Sequence, residues 1–411
     1  MILTACFAPR TAADRLRKPV MLTQYQAASS EALELLETPL IRESAIQLLS
    51  IAGDGLLALL EAARDAKERF KPGVITYSRK VFIPLTNLCR DYCGYCTFRR
   101  DPGQPGALTM NPEQVLEVAR AGENMGCTEA LFSLGDKPEL IFPEMRDTLR
   151  HLGYKSTLQY LEAMCELVLR ETSLLPHPNP GLLSAEWIRR LAAVSPSMGI
   201  MLESTNDSLL QLGNAHYNAP DKVPAKRLRM IEEAGEQNVP FTTGLLIGIG
   251  ESLEDRIDTL LAIRELHRRY GHIQEVIIQN FRSKPDIPMR DAPEPTQGDM
   301  LRTVAVSRLL MPDMNIQAPP NLSAPYYDEL LDAGINDWGG ISPLTPDFIN
   351  PEKPWPHLQQ LESRTSAKGY RLRQRLPVYP EFLDAVTTRP GLVAEKVKAA
   401  SDRDGYVRSA A

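Results

Sequence analysis

The sequence has little of what membrane, secreted and nucleic-acid-binding proteins contain. None of its 411 residues belongs to an apolar run of about 18 residues, the length needed to span a membrane. The N-terminus lacks the apolar stretch and small-residue cleavage site of a secretory signal. The net charge is −6, whereas a general nucleic-acid binder needs a basic face. We therefore expect a cytoplasmic protein that binds neither membranes nor nucleic acids.

Cysteine is also scarce, with six in the whole chain. Cys6, Cys127 and Cys165 show no paired spacing, so we expect free thiols in a reducing compartment rather than a disulfide framework. The other three fall within eight positions, 89 to 96, in the pattern C-x3-C-x2-C with an aromatic residue directly before the last. Half of the cysteines in so short a run indicates a metal site.

The three clustered cysteines suit an iron–sulfur cluster with one open iron. As thiolates, Cys89, Cys93 and Cys96 can hold three irons of a [4Fe-4S] cluster and leave the fourth iron without a protein ligand. An open metal position is typical of a catalytic site. A structural zinc site is the alternative, but it needs a fourth ligand, and neither Cys127 nor His151 has zinc-like spacing. We predict one [4Fe-4S] cluster per chain with these three metal ligands.

Apolar runs alternate with amphipathic helical patterns over most of the chain. This alternation predicts βαβ units with a parallel sheet, an α/β fold that forms a partial or full TIM-like (βα) barrel. We expect a mostly helical N-terminal extension over 1–71, a barrel core over 72–335, and a proline-rich segment with a helical tail over 336–411. The predicted strands lie near 81–85, 130–133, 173–175, 198–202, 243–247, 275–279 and 315–318, and the predicted helices near 41–70, 112–125, 156–170, 184–194, 222–238, 252–270, 297–310 and 381–400. Residues 336–357 read as an irregular loop.

The cysteine motif after the first strand resembles the signature of the radical S-adenosylmethionine (SAM) superfamily, C-x3-C-x-aromatic-C. Three runs resemble its deazaflavin-forming branch, the family of the cyclising subunit of 7,8-didemethyl-8-hydroxy-5-deazariboflavin (FO) synthase. They are YSRKVFIPLTNLCRDYCGYCTF at 77–98, SLGDKPE at 133–139 and WGGISPLT at 338–345. Alternatives are the tyrosine-using partner subunit, menaquinone-pathway relatives, or a non-enzymatic iron–sulfur or zinc protein.

The resemblance implies a barrel of the radical SAM type and a defined chemistry. SAM would bind the open iron and yield methionine and a 5′-deoxyadenosyl radical after reduction. The substrate would be the hydroxybenzyl adduct of 5-amino-6-(ribitylamino)uracil, which would cyclise with loss of ammonia to FO. Implied partners are the tyrosine-using FO synthase subunit and reduced ferredoxin or flavodoxin.

The resemblance also implies roles for residues outside the cysteine triplet. Tyr95 would lie beside the adenine, Gly135 and Asp136 would bind the methionyl amine, and Glu203 would accept the ribose hydroxyls. Gly248, in the run GLLIGIGE at 244–251, would lie near the adenine. Simpler roles in turns, packing and helix caps remain open for each of them.

Substrate groups are expected at the later strand ends. The candidates are Gln279, Asn280, Arg282, Asn321, Asp337 and Ser342, which offer donors and acceptors to a ribityl chain and a pyrimidinedione. His177 could shuttle protons, although a lone histidine is more often structural. No catalytic acid or base is assigned from the sequence.

Overall fold

The structure, a computed structural model, describes residues 40–408 as parallel strands that alternate with helices. The strands are β1 (Val74–Thr86), β2 (Glu129–Leu134), β3 (Leu175–Asn179), β4 (Met198–Gly199), β5 (Phe241–Ile247), β6 (Ile273–Asn280), β7 (Ile316–Gln317), β8 (Asp337–Ile341) and β9 (Arg371–Gln374). Eight of them follow the order β3-β2-β1-β8-β7-β6-β5-β4, and β9 pairs with β1 outside this path. Because β1 pairs with both β2 and β8, the sheet curves into a nearly closed barrel. This confirms the predicted fold class.

The helices cover the outside of this barrel. Their bounds are α1 (Arg42–Leu49), α2 (Asp54–Phe70), α3 (Pro112–Asn124), α4 (Pro143–His151), α5 (Thr157–Glu171), α6 (Ala185–Ala192), α7 (Pro224–Glu236), α8 (Leu253–Tyr270), α9 (Gln297–Leu310), α10 (Glu329–Asp332), α11 (Leu358–Ala367), α12 (Leu383–Thr387) and α13 (Leu392–Ala400). Asn111, Ser252 and Thr296 begin α3, α8 and α9 with reciprocal capping boxes. Such caps explain why the predicted and observed starts of these helices agree closely.

The hydrophobic core lies between the barrel wall and these helices. Every residue of β5 is buried, which is expected for a parallel strand covered on both faces. The N-terminal helices α1 and α2 pack against this core through Leu48, Leu49 and Leu59. Within the predicted N-terminal extension, the described part is helical over Arg42–Leu49 and Asp54–Phe70, whereas residues 1–39 lie outside the described part of the chain. Across residues 40–408, no helix is both long enough and apolar enough to cross a membrane.

The proline-rich segment contains a barrel strand, which corrects the prediction of a loop over 336–357. Strand β8 begins at Asp337 and pairs with β1 and β7, so the barrel continues past the predicted boundary at 335. The glycines at 339 and 340 explain why the sequence did not predict this strand, because glycine has low strand propensity. The sequence analysis also missed α4, which follows β2 and packs Met145 and Leu149 into the core.

The C-terminal tail does more than form helices. After β9, the segment from Arg375 to Tyr379 crosses the amino ends of the barrel strands and is buried throughout. Arg375 forms ion pairs with Glu275 on β6 and Asp337 on β8. The carbonyl of Pro377 accepts hydrogen bonds from two further barrel residues. This segment therefore closes the amino end of the barrel, while the carboxyl end carries the predicted site.

Candidate active site

A cavity of about 280 Å³, here called the outer chamber, opens at the carboxyl ends of the strands. Barrel enzymes place their chemistry at this end. The cavity is lined by seven of the eight residues predicted to bind cofactors: Cys89, Cys93, Tyr95, Cys96, Gly135, Asp136 and Glu203. The loops after β1, β2 and β4 bring these residues together from positions more than a hundred residues apart in the sequence.

The eighth predicted residue, Gly248, does not line the outer chamber. It follows β5 with φ at +89°, and its backbone N–H donates to the Glu251 carboxylate. A Cβ at this position would lie 2.3 Å from Pro295 Cγ. The structure therefore gives this glycine a turn with close packing instead of a place in the cavity wall, and Leu246 on β5 faces the chamber.

The cysteine loop surrounds Cys89 with backbone donors. Its Sγ accepts N–H groups from Asp91, at 3.4 Å, and Asp136, at 3.2 Å. Burial raises the pKa of the Cys89 thiol to about 12 and the pKa of the Cys93 thiol further above its usual range. A bound cation is what such buried thiols need to become thiolates. The three cysteines therefore fit a metal cluster.

Gly135 lets the end of β2 lie directly against the cysteine loop. Its N–H donates to Thr86 O at 2.8 Å. A Cβ at this position would lie 1.9 Å from Leu88 O and 2.7 Å from Cys89 Cβ. Since both contacts are with the segment that carries the first cysteine, only glycine permits this arrangement.

We expect Gly135→Ala to lower the iron content of the reconstituted protein. The added methyl group must displace the Leu88 backbone, an overpacking that costs about 1–3 kcal/mol of stability in a typical core. Iron per chain and the thermal midpoint measure both effects. Gly298→Ala is the matched control, because its Cβ would approach only the Arg302 guanidinium, no closer than 3.3 Å. Equal iron contents in the two variants would contradict the role of Gly135.

Three buried carboxylates lie beside the cysteine loop, with oxygens of Asp91, Asp136 and Asp221 within 4.8 Å of one another. Arg90 donates to Asp221, and Lys137 Nζ lies 2.6 Å from Asp136 Oδ1. The other oxygen, Asp136 Oδ2, is buried without a hydrogen-bond partner in residues 40–408. Burial and the nearby Asp221 carboxylate raise the pKa of Asp136 to about 8. A cationic ligand such as an ammonium group would give Asp136 Oδ2 a hydrogen-bond partner and would offset the raised pKa of Asp136.

Glu203 is a buried acceptor for three donors. Tyr95 Oη donates at 2.6 Å, His216 Nε2 lies at 2.9 Å, and Lys222 Nζ contacts the other carboxylate oxygen. Burial alone would raise the pKa of Glu203, but Lys222 and His216 outweigh it and hold the pKa well below its usual range. Glu203 has φ at +67°, a strained backbone that such a network can maintain. Neither Lys222 nor His216 belongs to a motif that sequence reasoning could use.

A second cavity of about 210 Å³, here called the inner chamber, lies deeper in the barrel. It is lined by residues that precede the outer-chamber residues on the same strands, such as Lys80, Glu129, His177, Thr242 and Glu275. The two chambers share six lining residues: Ser133, Asn179, Ile200, Met201, Gln279 and Ile349. The two chambers are therefore neighbours inside the barrel, with the cysteines lining the outer chamber and Arg375 and Pro377 lining the inner one.

The predicted substrate residues divide into two groups. Gln279, Asn280 and Arg282 line the outer chamber. Asn321, Asp337 and Ser342 line neither chamber. The last three form structural contacts instead: Asn321 donates to Asp347, Asp337 pairs with Arg375, and the Ser342 hydroxyl accepts the Thr345 N–H.

Comparison with known proteins identifies the family. The model of the radical SAM superfamily matches residues 83–263, which include the cysteine loop. The 7,8-didemethyl-8-hydroxy-5-deazariboflavin synthase of Methanopyrus kandleri is 46% identical over 335 residues, which are 82% of this chain and 100% of that protein. The chain belongs to this synthase family of the radical SAM superfamily. The family implies a [4Fe-4S] cluster and SAM, which the chamber's cysteines and its unpaired carboxylate oxygen fit.

Longer relatives of the same family match only in part. The FO synthase of Nocardia farcinica is 50% identical over 355 residues, which are 84% of this chain and 41% of that protein. The chain thus spans about two fifths of the length of that relative. These matches support a function in FO biosynthesis and do not favour the other functions that the sequence left open.

A solved structure supports the fold. The FeFe-hydrogenase maturase HydG of Carboxydothermus hydrogenoformans aligns with a TM-score of 0.68 and 20% sequence identity, over 90% of this chain and 88% of that chain. At this identity the likeness concerns the fold alone.

Proposed function

We propose that this chain forms FO from 5-amino-5-(4-hydroxybenzyl)-6-(D-ribitylimino)-5,6-dihydrouracil by radical cyclisation, loss of ammonia and a two-electron oxidation, as a carbon–nitrogen lyase. SAM would be the oxidant and would leave as methionine and 5′-deoxyadenosine, which carries one of the two hydrogens removed. The match over the full length of the Methanopyrus kandleri synthase is the observation that carries this proposal. Three cysteines at the mouth of the nearly closed barrel supply the matching chemistry. The tyrosine-using FO synthase subunit would provide the substrate, and reduced ferredoxin or flavodoxin the electron.

The residues of the outer chamber have distinct proposed roles toward the cofactors. Cys89, Cys93 and Cys96 hold the [4Fe-4S] cluster, which together with SAM supplies a 5′-deoxyadenosyl radical when bound. The free oxygen of Asp136 accepts the methionyl ammonium, supported by its burial without a partner. Gly135 keeps this carboxylate next to the cysteine loop.

Tyr95 and Glu203 form one wall of the proposed SAM site. Tyr95 is buried and its hydroxyl is held by Glu203, so its ring has a fixed orientation beside the cysteines. The Glu203 carboxylate, already bonded to Lys222 and His216, is a preorganised acceptor for ribose hydroxyls. Such a fixed wall keeps water and stray hydrogen donors away from a reactive radical.

An anaerobic assay tests the proposal. The reconstituted chain is mixed with SAM, a reductant, tyrosine, 5-amino-6-(ribitylamino)uracil and a tyrosine-using partner subunit, and FO is read by its fluorescence. We expect FO that depends on this chain together with 5′-deoxyadenosine. 5′-Deoxyadenosine without FO would contradict the proposed substrate but leave the radical SAM chemistry intact. Absence of both would overturn the proposed function.

A further inference from the structure

The inner chamber contains polar side chains that the cofactor roles do not use. Lys80, Glu129 and His177 project into it from β1, β2 and β3, and Gln317 from β7. In two places a glycine leaves the space that one of these side chains needs. A Cβ on Gly340 would lie 2.1 Å from Lys80 Cε, and one on Gly339 would lie 1.9 Å from Gln317 Nε2. The barrel wall is therefore shaped around these polar groups.

The hydrogen bonds of His177 determine its tautomer. Ser197 Oγ donates its single proton to Pro377 O at 2.6 Å, so it must accept from His177 Nδ1, at 2.8 Å. The proton of the neutral ring is thus on Nδ1, and Nε2 carries a lone pair. Nε2 has no hydrogen-bond partner in residues 40–408 and lies beside Gly199 in the chamber wall. Burial lowers the pKa of His177 to about 4, which keeps the ring neutral.

Lys80 supplies donors to the same chamber. Its ammonium group lies 2.8 Å from Glu129 Oε1, and this contact uses one of its three hydrogens. Both Lys80 and His177 line the inner chamber. The chamber wall thus presents a hydrogen-bond donor as well as a hydrogen-bond acceptor.

The cations of the inner chamber are already paired with carboxylates. Lys80 is paired with Glu129, and Arg375 with Glu275 and Asp337. An anionic ligand portion would have to compete with these carboxylates for the buried cations, whereas a neutral polar one would not. The Phe82 and Trp355 rings, stacked with centroids 5.4 Å apart, add a flat apolar surface to the wall. This combination suits an uncharged heterocycle with a flat polar edge.

We propose that the inner chamber binds the pyrimidinedione ring of the substrate by its imide edge, with His177 Nε2 accepting the ring N–H and Lys80 donating to an adjacent carbonyl. This assignment rests on the proposed function, because it takes the ribityl-uracil adduct as substrate. It makes His177 and Lys80 determinants of substrate specificity. The imide edge alternates carbonyl, N–H and carbonyl, so it offers an acceptor to Lys80 and a donor to His177.

Two ligands that differ only at the imide nitrogen test this proposal. FO retains the pyrimidinedione, and its 3-methyl derivative lacks the N–H. Binding of both to the anaerobically reconstituted holoenzyme is measured by deazaflavin fluorescence. We expect the wild-type protein to bind FO about 10- to 100-fold more tightly, the usual penalty when a buried acceptor loses its partner. In His177→Ala this preference should disappear, and His177→Gln, which keeps an acceptor, should restore part of it.

His272→Asn is the matched control. This histidine is also buried and has a pKa lowered to about 4, but it packs against Phe241 and Tyr270 away from both chambers. The variant should keep the wild-type preference for FO. Equal affinities of wild type for the two ligands would overturn the proposal even if the protein forms FO, and so would an unchanged preference in His177→Ala. Absence of FO formation by wild type would instead count against the proposed function.

Discussion

Cys93→Ala is expected to reduce FO formation to background and to remove the visible absorbance of the reconstituted protein. Two thiolates cannot hold the three irons that a radical SAM cluster requires from the protein. The side chain of Cys93 lines the outer chamber and contributes only partly to the neighbouring apolar cluster, so the fold should persist. Iron content, the absorption spectrum and 5′-deoxyadenosine yield are measured anaerobically, with circular dichroism as the test of folding.

Cys165→Ala is the matched control for this substitution. Cys165 is a fully buried free thiol on α5, within the core between helix and barrel and remote from the cysteine loop. Its replacement should keep the iron content and the FO yield, with at most a modest fall in thermal stability. Full iron and activity in Cys93→Ala would show that this thiol is not a cluster ligand. Loss of iron in both variants would indicate a general folding defect instead.

Arg375→Met is expected to lower the free energy of unfolding by about 3–5 kcal/mol, the usual cost of removing one partner from a buried ion pair. The guanidinium is buried between Glu275 and Asp337 and donates to both carboxylates. Without it, two buried acids on neighbouring parts of the barrel lose their compensating charge. Because Arg375 also forms the floor of the inner chamber, the variant should bind substrate poorly even where it remains folded. Urea unfolding followed by circular dichroism measures the effect.

Arg229→Met provides the comparison. Arg229 lies on α7, half-exposed, and pairs with Glu232 and Glu233 on the surface of the same helix. Such exposed pairs contribute about 0–1 kcal/mol, so this variant should unfold close to the wild-type midpoint. If Arg375→Met behaved in the same way, the C-terminal segment would not be the structural floor of the barrel. An Arg375→Met variant more stable than the wild-type protein would contradict this structural role in the same way.

The two chambers place the proposed cofactor residues and the proposed substrate residues in different parts of the barrel. The cysteines, Asp136 and Glu203 surround the mouth, where loops can adopt the shapes that cofactors need. Lys80 and His177 stand on strands deeper inside, where packing holds side chains rigidly. A substrate that reached from one chamber into the other would have its recognition groups held by the strands and its reacting part near the cysteines.

The sequence alone determined the cysteine site and the fold class. The spacing of Cys89, Cys93 and Cys96 predicted a shared site because residues so close along the chain must also lie close in space. The alternation of apolar strands and amphipathic helices predicted the barrel, since these periods depend only on local geometry. The family resemblance implied that Asp136 and Glu203 lie near the cysteines, and their positions after predicted strands agree with it, because the carboxyl ends of all the strands lie at one end of a barrel.

Only the tertiary structure revealed what depends on contacts between distant segments. Strand β8 lies in a glycine- and proline-rich run with no strand signal, and it forms because β1 and β7 offer it hydrogen bonds. Arg375 pairs with Glu275, a hundred residues earlier. This pairing holds the C-terminal segment against the barrel as its floor, a role that the sequence analysis did not predict. The free Nε2 of His177 results from a relay through Ser197 to Pro377. No local period encodes such contacts, because packing and charge compensation in the folded chain select them.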